Sequence, residues 1–222
     1  MSELSVRAWW NRNPLAEPDL ADAADALLAR WREVLPVERW KVPAGPVWEG
    51  SLEHKASMFS KPELGPGGEQ PMDEARTLNV SGGSENLRAH VMVLGGRADP
   101  PEYPVNQCVE MTLMPRPGKP VAPGLLGAVV DSLREVWEPL ITVVTTRELD
   151  ARLARRYRSL PVGQYTWYAQ EVAEPTKAPA HVTLSQVAGG TSVALPADWD
   201  VERQAVALHE FLDLNELAGT FL

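Results

Sequence analysis

The 222-residue chain carries four histidines, one cysteine and 30 acidic side chains, and their spacing decides which reactions they could support. His54, His90, His181 and His209 are scattered, with no second histidine three to five residues from any of them. Local pairs of that spacing bring two imidazoles to one ion, so no metal ligand is expected. Nor is there a Gly-x-Ser-x-Gly elbow: the turn Gly82-Gly83-Ser84 lacks the second flank. Cys108 faces the side of an alternating stretch opposite Val109 and Met111, the position of a packed or half-buried thiol rather than a nucleophile. Gly65-Pro66-Gly67-Gly68 has neither the Lys nor the Ser/Thr of a phosphate loop, and Pro66 removes a backbone donor. No catalytic residue and no cofactor is therefore expected from motifs. A hydrolase or transferase that gathers His90 or His181 with a carboxylate only in three dimensions remains the alternative.

Charge narrows the partners. The net charge is −9 with a pI near 5.0, a field that repels nucleic-acid phosphates and anionic lipid alike. Arg147, Arg152, Arg155, Arg156 and Arg158 form the one basic concentration, and cations there suit the last turn of a helix. The C-terminal helix is the reverse case, with Asp198, Asp200, Glu202, Glu210, Asp213 and Glu216 against a lone Arg203. Acids at its start favour the helix dipole, but Asp213 and Glu216 at its end gain nothing from it, which points to a partner-facing role. Eight tryptophans are a further excess, roughly three times an average frequency of about 1%. Trp31 and Trp137 lie on helical stripes and read as core. Trp9, Trp10, Trp40, Trp48, Trp167 and Trp199 lie in strand or loop contexts, where a buried indole still needs an acceptor and where interfaces are enriched.

The elements that must hold these residues follow from periodicity. Leu20, Ala23, Ala24, Leu27, Leu28, Trp31 and Leu35 recur at three- and four-residue spacing and predict a helix over Asp19–Leu35, bounded by Pro18 and Pro36. A second stripe runs from Gly124 to Trp137. A third helix is expected where Thr145 and Glu148 form a capping box, continuing to Tyr157. A fourth follows Asp200, a good N-cap. Alternation predicts strands at Leu87–Val93 and Val105–Leu113, separated by the Gly95–Pro104 loop. Shorter strands are expected at Val6–Trp10, Val47–Leu52, Thr77–Ser81, Leu140–Thr145 and Gln164–Ala169, and at His181–Val187 with Ser192–Leu195 across Gly189-Gly190. Strands in runs punctuated by helices predict an α+β fold, a mainly antiparallel sheet packed by about four helices, as one domain over residues 1–222. Residues 61–71 read as a mobile Gly/Pro-rich loop. Glu3 and Arg7 interrupt any signal peptide, the apolar run Val121–Val130 is half a membrane span, and one cysteine forms no internal disulfide. A cytoplasmic protein without membrane contact is expected.

The order of these signals resembles a known family. Trp9-Trp10-x-Arg12 at an N-terminal strand, an Ala/Leu helix ending near Trp31 to Trp40, and Val136-Trp137-Glu138-Pro139 before the strand Leu140–Thr145 are similar to the immunity protein 52 family of bacterial polymorphic toxin systems. Pro161-Val162-Gly163 followed by Thr166-Trp167-Tyr168 looks like that family's Gly-centred aromatic strand, and a terminal acidic helix follows. Gln164 stands where the family pattern has Trp, and the loop Lys61–Pro71 replaces a region usually more charged. The resemblance implies a non-enzymatic protein that binds and blocks a cognate toxin, often a restriction-endonuclease-like nuclease delivered by a type VI or contact-dependent secretion route. Trp48, Glu49, Trp199, Asp198, Asp200, Glu202, Glu210 and Asp213 are the candidate toxin-binding residues. A scaffold subunit of a secretion apparatus is the second alternative.

Overall fold

The computed structural model describes residues 3–10, 17–60, 76–95, 107–119, 124–153, 160–187 and 189–218. The Lys61–Pro71 loop, most of the Gly95–Pro104 connection, Arg12, Arg155, Arg156, Tyr157 and Arg158 lie outside the described residues. The fold is α+β, with eight strands and five helices among the described residues, and the chain divides into two compact units, Trp9–Glu138 (with Met1) and Ser2–Ala8 together with Pro139–Leu222.

In the first unit, β2 (Arg76–Gly83), β3 (Leu87–Gly95) and β4 (Gln107–Pro115) form an antiparallel meander in which Val80 faces Val91 and Val91 faces Met111. Alternation is complete in β3: Leu87, Ala89, Val91 and Val93 are buried, while Arg88, His90 and Met92 face the other side. Helix α1 (Glu17–Val34) buries Leu20, Ala24, Leu27, Leu28 and Trp31 and packs on α3 (Leu125–Trp137). Pro18 sits in its first turn, where a missing N–H costs nothing, and Pro36 follows its end. At the far end of α3, Glu138 turns left-handed (φ 42°) ahead of Pro139, because proline disfavours helical geometry in the residue before it. The Trp10 and Trp137 rings meet at a tilt of 48°, their centroids 4.3 Å apart.

One expectation fails in this unit. Val47–Leu52 is not a strand. Val47 makes a single bridge to Lys41, Trp48 N donates to Trp40 O (2.9 Å), and a one-turn helix α2 (Leu52–Ala56) follows. Gly50 at φ 98° breaks the extended chain, and Ser51 Oγ then accepts from His54 N (3.2 Å), the N-cap interaction that starts a helix. Five residues with no buried side chain carry no periodicity to read.

The second unit contains most of β1 (Leu4–Trp10), with β5 (Ile141–Thr146), β6 (Tyr165–Ala169), β8 (Gly190–Ala194) and β7 (Thr183–Val187) in the order β1-β5-β6-β8-β7. All six residues of β5 are buried, Thr142, Thr145 and Thr146 among them, and every one is β-branched, the side-chain type that suits a strand. Two glycines allow backbones to meet. A Cβ on Gly163 would lie 2.3 Å from Val144 O, and one on Gly190 would lie 2.0 Å from Tyr168 O.

Helix α4 (Arg147–Leu153) starts one residue later than the Thr145/Glu148 box predicts. Thr146 Oγ1 is the cap, accepting from Leu149 N (3.1 Å), while Thr145 Oγ1 donates to Asp150 (2.8 Å), which also pairs with Arg7 (2.7 Å). His181 is not part of β7 either: its left-handed φ of 69° is incompatible with an extended strand. Helix α5 (Val201–Leu214) is capped by Asp200, whose Oδ1 accepts from Arg203 N (2.8 Å), and it buries Ala205, Leu208, Phe211 and Leu212.

Tyr168 gives this unit an alkaline limit. The side chain is fully buried, with Oη donating to Pro161 O (2.9 Å), and burial pushes the phenol pKa upward from its ordinary value near 10. The folded protein keeps this proton where the unfolded chain loses it. Its contribution to stability is therefore complete below about pH 10 and declines above it, by up to about 1.4 kcal/mol per pH unit. Tyr168→Phe is expected to cost about 1 kcal/mol at neutral pH and to lose this component of the alkaline slope. Urea denaturation of both proteins between about pH 8 and 11 checks it, and parallel slopes would contradict it.

Candidate functional site: an acidic recognition face

The candidate residues fall into two clusters, one in each unit. In the first, Asp25 on α1 accepts from Trp48 Nε1 (2.9 Å) and from Lys55 Nζ (2.5 Å), and Lys55 stands 5.9 Å from the Trp48 ring centroid. Phe59 meets that ring edge-on at 6.2 Å. A concavity of about 230 Å³ opens beside them, flanked by Arg32, Arg39 and Glu49. Trp48 is 6% exposed, so its ring ties the Val47–Phe59 segment to α1 and offers little surface to a partner. Glu49 is exposed. Asp25→Ala strands the Lys55 ammonium, whose side chain is only 12% exposed, and the indole N–H together. A loss of about 2–3 kcal/mol is expected in chemical denaturation, and a loss below 0.5 kcal/mol would show the cluster to be unimportant to folding.

The second cluster is built on α5 and the turn before it. Trp199 is half-buried; the Arg203 guanidinium stacks on it 4.1 Å from the centroid, and the His181 ring meets it nearly perpendicular at 6.4 Å. Beneath the stack, buried Gln204 donates from Nε2 to Trp199 O (2.8 Å) and accepts from Gln164 Nε2 (3.2 Å). That relay gives Gln164 a structural purpose: it orients the side chain that fixes Trp199.

The outer face of α5 presents Glu202, Val206, Glu210 and Asp213, one to two turns apart, all exposed. Val206 is 59% exposed and lies between Glu202 and Glu210, four residues from each. Asp198 is exposed beside Trp199, whereas Asp200 is engaged as the cap. Glu202 makes a 3.4 Å pair with Arg152 in which both side chains are more than half exposed, a contact worth under about 1 kcal/mol and easily exchanged.

The histidines proposed for an enzyme occupy ordinary positions. His90 Nδ1 is 3.0 Å from Ser81 Oγ, its direct partner in the β2–β3 register, and His181 is engaged in the Trp199 stack. Among the described residues no three His, Cys, Asp or Glu side chains group closely enough to hold a metal ion, and no helix is long and apolar enough to cross a membrane. Sequence reasoning had already singled out Trp199 and the acids of α5 as candidates. It missed Val206 and Gln204, whose roles depend on which side of α5 packs inward, and it missed the Asp25–Lys55 pair, which joins segments 30 residues apart.

An aromatic group held rigid by packing, an exposed apolar residue beside it and a surround of carboxylates make an arrangement suited to recognition of a cationic surface. No family model matches the sequence, and no curated protein is similar enough to count as a relative. Among solved structures, the chain is similar in fold to one titled Pseudomonas aeruginosa T6SS protein PA0821, with 10% sequence identity and a TM-score of 0.50, over 96% of this chain and 73% of that one.

Proposed function

We propose that this protein is a non-enzymatic, cytoplasmic immunity protein of the immunity protein 52 type, which binds the catalytic domain of a cognate bacterial toxin and blocks it. The observation that carries the reading is the outer face of α5: Val206 exposed between Glu202 and Glu210, beside the Trp199–Arg203–His181 stack. An enzyme that handles nucleic acid has a basic cleft, and an acidic face with a rigid aromatic anchor complements it. Opposite charge accelerates encounter, and the desolvated ring slows release. The order of sequence motifs supports the same reading, and so does the fold shared with a protein whose title places it in a type VI secretion system.

The partner chemistry this favours is a restriction-endonuclease-like nuclease. Co-expression with the toxin-domain protein encoded beside this gene tests the proposal. Survival of the host, with a stoichiometric complex recovered on purification, is the expected result. Continued killing in the presence of folded protein ends the idea.

A further inference from the structure

A groove of about 840 Å³ opens in the first unit at the turn end of the β2–β3 hairpin, and neither cluster described above uses it. Lys41, Arg88 and Arg116 line it, together with Glu38, Glu85 and Met114. Each cation is fixed by the fold at its backbone. Lys41 exchanges two 2.8 Å backbone hydrogen bonds with Ser81 on the outer edge of β2, and Arg116 N donates to Asn86 O (3.0 Å) where the chain leaves β4. Arg88 lies in register with Gly83 on one side and Met114 on the other, so the three share a face. The wall at Gly82 is bare backbone, because a Cβ there would lie 2.5 Å from Val37 Cγ1.

Two features single this groove out. In a chain of net charge −9, it gathers three cations, none of which pairs with a carboxylate among the described residues. In addition, Arg116 Nε is buried and has no acceptor among them. A buried donor left unpaired is costly, and the outer edge of a guanidinium binds a carboxylate in the bidentate geometry that arginine favours.

We propose that this groove binds an acidic peptide segment of a partner protein, with Arg88 and Arg116 each gripping a carboxylate and Met114 receiving an apolar side chain between them. A nucleic-acid strand is the poorer fit. Its uniform line of phosphates would meet Glu38 and Glu85 within the groove and the negative field of the whole chain outside it, whereas a peptide can alternate acidic with neutral or basic residues. The site is built from residues of the first unit alone and does not depend on the toxin-binding reading.

The test is fluorescence anisotropy on the full chain with a short labelled peptide rich in glutamate around one leucine. Saturable binding is expected, weakened about tenfold or more by Arg88→Glu and several-fold by Arg88→Gln, and reduced by raising the salt from about 50 to 500 mM. The same peptide with glutamine for glutamate should not bind. Should Arg88→Glu fail to fold, Arg88→Gln and Lys41→Gln, both at exposed positions, carry the comparison. Absence of saturable binding, equal binding of the glutamine peptide, unaltered affinity in the folded variants, or tighter binding of a labelled oligonucleotide would each overturn the proposal.

Discussion

Trp199→Ala is expected to weaken the proposed toxin complex about 100-fold while leaving the protein folded. The reason lies in how Trp199 is held. Its carbonyl is fixed by Gln204, which Gln164 positions in turn, and its ring contacts both the Arg203 guanidinium, 4.1 Å from the centroid, and the His181 ring, 6.4 Å away and nearly perpendicular. A large ring already ordered in the unbound protein loses little conformational freedom on binding, so most of its burial is available as affinity. Central tryptophans of this kind typically cost 2–4 kcal/mol when truncated, and about 3 kcal/mol corresponds to two orders of magnitude in Kd. Val206→Arg should act in the same direction, by placing a cation at the centre of the face proposed to meet a basic partner. Leu52→Ala, at another exposed apolar side chain (45%) in the first unit, is the matched control and should change nothing. Calorimetric titration with the toxin domain, alongside thermal melts of each variant, decides the matter. A Trp199→Ala complex within twofold of the parent would remove α5 from the interface.

The second large effect concerns stability. Gly190→Ala is expected to destabilise the protein by about 3 kcal/mol or more, because its Cβ would sit 2.0 Å from Tyr168 O and 3.0 Å from Trp167 Cζ2. The nearest obstacle is a backbone carbonyl of the paired strand β6, and it can retreat only by breaking the β6–β8 ladder. Overpacking that flexible side chains absorb usually costs 1–3 kcal/mol. A clash with backbone belongs at or above the top of that range. Gly127→Ala gives the opposite sign. Nothing lies within 4 Å of the added methyl on α3, and exchanging a helical glycine for alanine stabilises by about 0.5–1 kcal/mol. Urea denaturation of the two variants should move the midpoint in opposite directions. A Gly190→Ala protein as stable as the parent would mean that β6 and β8 do not approach as described.

Both effects were partly legible beforehand, at different levels. The aromatic strand after Pro161-Val162-Gly163 and the hairpin at Gly189-Gly190 could be read from residue types, but not the reason for the glycines. Gly163 is needed because Val144 O lies against it and Gly190 because Tyr168 O does, and neither carbonyl is near in sequence. The candidate site divides the same way. Asp200 as a cap and the acidic run of α5 are local facts. Trp48, a candidate toxin contact in a strand or loop context, has its ring buried and its indole N–H donated to Asp25. His181, the histidine of the enzyme alternative, stands at the edge of the Trp199 ring, a contact the sequence does not show.

By itself the sequence determined the α+β class, four helices and the course of the strands, because periodicity and capping are encoded within a few residues of the backbone they shape. A single-turn helix at Leu52–Ala56 and the choice of Thr146 over Thr145 as a cap fell below that resolution, since one turn has no period and adjacent threonines offer the same hydroxyl. Only the tertiary structure decided which tryptophan is buried and which is presented, which face of α5 carries Val206 outward, and that Lys41, Arg88 and Arg116 line one groove. Those outcomes depend on contacts between residues far apart in the chain, and burial, unlike periodicity, is a property of the packed whole.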